Sequence, residues 1–319
     1  MIIATYEEHF CVHPFDKREI LFAFHDIDGT HSLIREWPPV MSIVLHDVIH
    51  HGLSENFDNK ENQNRLILEA GKNALPETDR FCTESAGLSA LTQMEWAIRR
   101  AIEEGTVPFK CDLAQNHQKI LLIEQGIEVF PLLPDSPGLT ALLQEYTPRL
   151  FRLYENVLNG YCRDRNLKKA KYTPELFRVK GSIEFMHFLK DAGVKNYFVT
   201  GAVVQQGMGM YEEVETLGYT IGPGELVEDI IGSSWDKKIP KDEIMANLLN
   251  KLHIEGKKVL VVGDGRSEIA AGIHMGALTV SRLPKNAARQ RELHMALKTN
   301  LIIEDYLEKA IAKVFKSIP

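Results

Sequence analysis

Two carboxylates spaced two residues apart, Asp26 and Asp28, follow directly on a short apolar run, Ile20-Leu21-Phe22-Ala23-Phe24. In an extended loop the side chains at i and i+2 point to the same side, so both can reach one atom. That pairing suits phosphoryl chemistry, in which a carboxylate attacks phosphorus while the leaving oxygen needs a proton. Gly29 permits the turn that follows, and Thr30 can fix it by hydrogen bonding. A second loop, Gly263-Asp264-Gly265-Arg266-Ser267-Glu268, adds an acid where a hard cation could sit between carboxylates and a phosphate oxygen. Thr200-Gly201 ends another apolar segment and offers a hydroxyl and nearby N–H groups to further oxygens. A lysine at a helix start near residue 240 can balance the carboxylates and bind phosphate. Taken singly, each loop also fits an ordinary turn at a strand end. What sets them apart is that they come as a series, each at the end of an apolar strand or the start of a helix.

The elements that must position these loops are legible in the hydrophobic pattern. Short runs of three to six residues at 20–24, 196–199, 226–231, 259–262, 277–280 and 301–303 predict buried strands. Helical periodicity at 183–192, 203–217, 242–252 and 269–275 alternates with them, which predicts a parallel sheet covered on both faces. From residue 33 to about 172 the texture is wholly helical, at 40–51, 65–72, 88–104, 118–125 and 138–159. The expected organisation is a discontinuous α/β core of residues 1–32 and 175–319, split by a helical insert of residues 33–174. An insert that enters directly after a strand's C-terminal end is expected to cap that edge, where open parallel sheets bind their ligands.

The bulk of the chain excludes several classes. With 319 residues, 44% hydrophobic and 25% charged, it has the composition of a folded protein of two domains. A formal net charge of −7, from 37 basic and 44 acidic residues, provides no footprint for nucleic acid or an anionic membrane. Cys11, Cys82, Cys111 and Cys162 form no CxxC pair, and no basic, apolar leader or long apolar span is present. A soluble, cytoplasmic protein acting on a small molecule is expected.

The series Asp26-Ile27-Asp28-Gly29-Thr30, Thr200-Gly201, a helix-starting lysine and Gly263-Asp264-Gly265 resembles the haloacid dehalogenase (HAD) superfamily. The resemblance covers the whole sheet domain. It implies a Rossmann-like core with an all-helical cap inserted after the first motif, Mg²⁺ as cofactor, and an aspartyl phosphate formed on Asp26. Asp28 would be the general acid/base. Asp28-Gly29-Thr30-His31-Ser32-Leu33-Ile34-Arg35-Glu36-Trp37 further resembles a subgroup with a DGTxSLIREGW signature, from which this chain departs by lacking the glycine between Glu36 and Trp37.

Within that resemblance the third-motif lysine is Lys241 or Lys238, with Lys237 a distant third. Lys241 is preferred, because Pro240 suits a first helical turn and leaves Lys241 at the N-terminus facing the strand ends. The metal would be held by the carboxylates of Asp26 and Asp264 and the backbone carbonyl of Asp28, with Glu268 one helical turn on, holding a metal-bound water. Thr30, Gly201 and Arg35 are candidate substrate contacts, Arg35 being equally suited to a salt bridge. His46 and His50 share a helix face but lack a zincin glutamate. Gly207-Met208-Gly209-Met210 is expected within a helix, and Met94, Trp96 and Ile98 in an apolar core. The expected activity is Mg²⁺-dependent hydrolysis of a small phosphorylated metabolite; the alternatives are a phosphosugar phosphomutase and a non-catalytic binding module of the same fold.

Overall fold

The computed structural model describes residues 1–127, 136–234 and 239–317. Numbered in chain order, the chain opens with strands β1 (Ile2–Ala4), β2 (Arg18–Ile20) and β3 (Phe22–His25). Six helices follow: α1 (Trp37–His51), α2 (Lys60–Glu69), α3 (Pro76–Glu84), α4 (Ala90–Glu103), α5 (Leu113–Glu124) and α6 (Pro137–Leu158). After α7 (Asp164–Ala170) and α8 (Ser182–Asp191) come β4 (Lys195–Gln205), β5 (Met208–Gly209), α9 (Met210–Thr216), β6 (Asp229–Ser233) and α10 (Lys241–Leu252). The chain continues with β7 (Val259–Gly263), α11 (Arg266–His274), β8 (Leu278–Arg282), α12 (Ala288–Ala296), β9 (Leu301–Ile303), α13 (Lys309–Val314) and β10 (Phe315–Ser317). It divides into two compact units, Met1–Ile34 with Asn166–Pro319, and Arg35–Arg165.

The first unit is an α/β fold around a sheet of order β5-β4-β3-β7-β8-β9, with β6 on the outer side of β4. All pairs are parallel except β4 with β5. Strand β3 has β4 on one side and β7 on the other, so the chain reverses its direction of travel across the sheet there. That is the position at which such sheets open a crevice for ligand. His25, the last residue of β3, is level with Phe198 and Val262. Asp26 and Asp264 therefore leave the sheet, and Thr200 lies on β4, within two residues of one level. Strand β7 is buried throughout, as its Val-Leu-Val-Val sequence requires of a central parallel strand. A three-stranded antiparallel sheet, β10-β1-β2, was not expected; strands of three residues are too short to show periodicity.

One expected helix is corrected. Residues 203–209 are not helical: β4 runs on to Gln205 past an irregularity between Val199 and Val203, then folds back so that Val204 pairs with Gly209. Gly207 and Gly209 have φ of 74° and 54°, which a right-handed helix forbids, and β-branched Val203 and Val204 favour the strand. Gly207-Met208-Gly209-Met210 is thus a hairpin return, and α9 begins only at Met210. The strand expected at 226–231 is β6, displaced to Asp229–Ser233.

The second unit is helical among its described residues. Met94, Trp96 and Ile98 lie fully within its apolar core, with Phe81 stacked on Trp96 at 3.7 Å. Arg99 is completely buried and donates to Glu95 at 2.8 Å and to Asn116 at 3.0 Å, a paired charge of the kind an interior tolerates. The helix α3, absent from the expected set, begins with Pro76 at its first position. No helix of the described residues is long and apolar enough to cross a membrane.

Candidate active site

The loop after β3 is a tight knot of backbone hydrogen bonds. Asp26 still donates its N–H to Val262 at 2.8 Å, which keeps it on the sheet. The amides of Thr30, His31 and Ser32 then converge on the Ile27 carbonyl at 3.3, 2.9 and 2.9 Å, and Gly29 donates to Ser32 at 2.9 Å. Gly29 is required twice over. Its φ is 74°, and a Cβ built on it would fall 2.1 Å from Oδ2 of Asp264. Thr30 donates its hydroxyl to Oδ1 of the same carboxylate at 3.3 Å. Gly29→Ala is therefore expected to push Asp264 out of register and to lower the melting temperature; a variant that melts with the wild type would refute the close approach.

Lys241 is the first residue of α10, directly after Pro240. Its ammonium is buried and donates to Oδ1 of Asp26 at 2.7 Å and to Oε2 of Glu268 at 3.0 Å. Lys237 and Lys238 lie outside the described residues. Glu268, in the first turn of α11, is fully buried; its Oε1 accepts from the Gly265 N–H at 2.5 Å and its Oε2 from the Ser267 hydroxyl at 3.2 Å. Gly263 makes room for it, since a Cβ there would lie 2.3 Å from Glu268 Cγ. Lys241 thus reaches Asp26 as expected and also bridges it to Glu268, a contact the spacing did not reveal.

Asp26, Asp264 and Glu268 each offer a carboxylate oxygen within 4.8 Å of the others, the one such cluster among the described residues. Among the described residues three carboxylates face one ammonium, and the carboxyl groups are shifted accordingly. Burial pushes Asp26 up; Lys241 opposes and Glu268 adds to it, leaving the group at about 6. Burial and then the charges of Asp26 and Glu268 hold Asp264 well above the usual carboxylate range. For Glu268 burial is outweighed by Lys241 and by backbone N–H donors, and its value is lowered. Burial works against the Lys241 ammonium too, yet Asp26 and Glu268 outweigh it and keep it charged. Surplus negative charge confined among hard oxygen donors fits a divalent cation such as Mg²⁺.

The remaining predicted residues fall as follows. Thr200 is buried at the end of the regular part of β4, and its hydroxyl accepts from the Ala202 N–H at 3.1 Å, which leaves its proton free to donate. Gly201 lies beside Lys241: a Cβ there would be 3.8 Å from Lys241 Cε. Asp28 is partly exposed in the turn and its backbone pairs with Ser32. Arg35 belongs to the helical unit, where its guanidinium meets Glu155 at 3.6 Å. His46 and His50 on α1 have ring centroids 4.1 Å apart, with no third ligand among the described residues. Arg282, at the end of β8, was not anticipated. It donates to the Gly29 carbonyl at 2.8 Å and to the Glu304 carbonyl at 2.9 Å, tying two loops at the sheet edge. The one sequence signal for it is its place at the C-terminal end of a parallel strand.

No protein-family model matches the chain, and no curated protein does. Among solved structures it is similar to a protein named as a phosphoglycolate phosphatase from Lactobacillus delbrueckii subsp. bulgaricus, at 13% identity and TM-score 0.49, covering 92% of this chain and 99% of that one. It is also similar to β-phosphoglucomutase from Clostridium difficile, at 12% identity and TM-score 0.46 over 92% and 96% of the two chains. A third is a HAD family hydrolase from Deinococcus radiodurans R1 with bound phosphate and sodium, at 15% identity and TM-score 0.42 over 92% and 96%. At such identities a neighbour's activity does not transfer. In sheet order and in the reversal at β3 the core is a Rossmann-like α/β fold, with polar loops at the C-terminal ends of its central strands.

Proposed function

We propose that the chain is a Mg²⁺-dependent phosphohydrolase of the HAD superfamily, acting on a small phosphorylated metabolite through a phosphoryl group carried on Asp26. The observation that carries this reading is the buried cluster in which Lys241 is 2.7 Å from Asp26 while Asp264 and Glu268 stand within 4.8 Å. In this reading Asp26 attacks phosphorus in line; an oxygen–phosphorus bond forms as the bond to the leaving alkoxide breaks. Asp28 gives that alkoxide its proton, then takes one from the water that attacks the acyl phosphate, freeing inorganic phosphate and regenerating the Asp26 carboxylate. The Asp26 and Asp264 carboxylates and the Asp28 carbonyl would hold Mg²⁺, which when bound neutralises charge on the transferred group. Glu268 and the Ser267 and Gly265 donors hold Lys241 in place, and the Lys241 ammonium meets the same developing charge. Thr200 supplies a donor to the phosphoryl oxygens.

The test is release of inorganic phosphate from a set of small phosphate monoesters by the purified protein. Release that needs Mg²⁺ and stops with chelator is expected; equal release with chelator rejects the reading, and isomerised product without phosphate points to a mutase. The pH profile adds a signature. Asp26 must be ionised to attack, and without a cation it ionises at about 6. A cation beside it favours the charged form, so the acid limb of kcat/KM should move to lower pH as Mg²⁺ is raised.

A further inference from the structure

Four buried polar side chains lie behind the Asp26 loop and take no part in the chemistry above: His25, His31, Asn196 and Tyr306. Their proton positions follow from the network. The Asn196 amide nitrogen donates to the carbonyls of Met186 and Leu226, both at 3.1 Å, so its oxygen accepts, and His25 Nε2 donates to it at 3.1 Å. His25 Nδ1 is then a lone pair, to which His31 Nε2 donates at 3.0 Å. The same His31 nitrogen is 3.2 Å from the Tyr306 oxygen, whose own proton goes to the Thr30 carbonyl at 3.1 Å. The Thr30 hydroxyl completes the series on Asp264.

The series does something a packed apolar core would not. Its end fixes one carbonyl, that of Thr30, while Arg282 fixes the preceding one, that of Gly29. Both peptides that set the loop against Asp264 are thereby pinned. His31 is stacked on Tyr306 with centroids 5.1 Å apart, and Tyr306 on Phe185 at 5.1 Å, so the phenol ring is held between two others. His31 Nδ1 is buried with no hydrogen-bond partner. An orphan acceptor destabilises, and a carbocyclic ring would fill the space without it. What the imidazole adds is the Nε2–H donor.

We infer that His31 and Tyr306 are positioning residues that hold the Thr30 peptide so that Asp264 and Asp26 present their oxygens to a divalent cation. The inference rests on the acid cluster being the metal site, as in the proposed function. Groups that orient a metal ligand typically change affinity about tenfold or more when removed.

The experiment is Mn²⁺ binding to the full chain without substrate, read from the electron paramagnetic resonance signal of the free ion. Asp264→Asn locates the site: binding should be lost, and wild-type binding in that variant would overturn the metal-site reading and this inference with it. Given that loss, Tyr306→Phe, which keeps the ring stack and removes one hydroxyl, should weaken Mn²⁺ by about tenfold. His31→Phe should do likewise, and His31→Gln, whose amide nitrogen can replace Nε2–H, should restore affinity to within about threefold of wild type. Wild-type affinity in Tyr306→Phe overturns the inference. Equal weakening by Phe and Gln at His31 also overturns it, since the ring rather than the donor would then matter. Should His31→Phe fail to fold, judged by circular dichroism, Tyr306→Phe decides.

Discussion

If Asp26 carries the phosphoryl group as proposed, Asp26→Asn should reduce phosphate release by at least about three orders of magnitude while leaving the fold intact, because it removes the nucleophile and keeps the shape of the side chain. The carboxamide has the same shape, and its oxygen can still accept from Lys241, 2.7 Å away in the wild type. Glu268 remains as the second partner of that ammonium at 3.0 Å. Stability should also hold. The folded value of Asp26 is raised to about 6 from an ordinary 3.8, so its effect on stability is fully present below 3.8 and is lost as pH rises through 6. At pH 7.5 the ionised group is a cost, and a neutral Asn does not carry it. A melting temperature within a few degrees of wild type at pH 7.5, with turnover at background, is the expected pair of results. Turnover within tenfold of wild type would show that Asp26 does not carry the phosphoryl group. Rapid acid quench gives a second check, since phosphate bound covalently to protein should appear in wild type and be absent from the variant.

The sheet and its loops were legible because each central strand is a short, unbroken apolar run with an abrupt polar end. Val259 to Val262 ending in Gly263-Asp264 is the plainest case, and its boundaries agree with β7 to within one residue. The helix expected from residue 203 shows the opposite. Val203, Val204, Met208 and Met210 mimic a helical spacing, while the deciding information is the positive φ of Gly207 and Gly209, which composition does not encode. At the site, residue types and order singled out Asp26, Asp28, Asp264 and Glu268, but not who touches whom. Both oxygens of Glu268 accept from protein donors, contacts that spacing alone does not show. Arg282 carries no motif, and it and Tyr306 reach Gly29 and Thr30 only because β8 and then β9 follow β7 across the sheet. Such long-range contacts are set by strand register, to which local sequence is blind.

Lys241→Met should cripple turnover and destabilise the protein, and the second effect should depend on pH. The substitution keeps most of the aliphatic stem and removes the one ammonium that, among the described residues, faces Asp26 and Glu268. Removing one partner of a buried ion pair typically costs about 3–5 kcal/mol, since the charges left behind have lost both water and counter-charge. Without Lys241 the attraction that now lowers Asp26 and Glu268 is gone, so both carboxyls must move up from their present positions. A carboxyl raised in the folded state contributes stability below its unfolded value and loses it as pH rises through the folded value. The variant should therefore lie closest to wild type near pH 5, where Asp26 takes up a proton, and furthest from it at pH 7.5. Urea denaturation of both proteins at the two pH values reads this directly. A deficit that is the same at both, or larger at pH 5, would mean that Lys241 is not the group balancing these acids. The alanine substitution of Lys238 supplies the contrast: its kcat and denaturation midpoint should stay near wild type, because the Asp26 and Glu268 oxygens already have their ammonium.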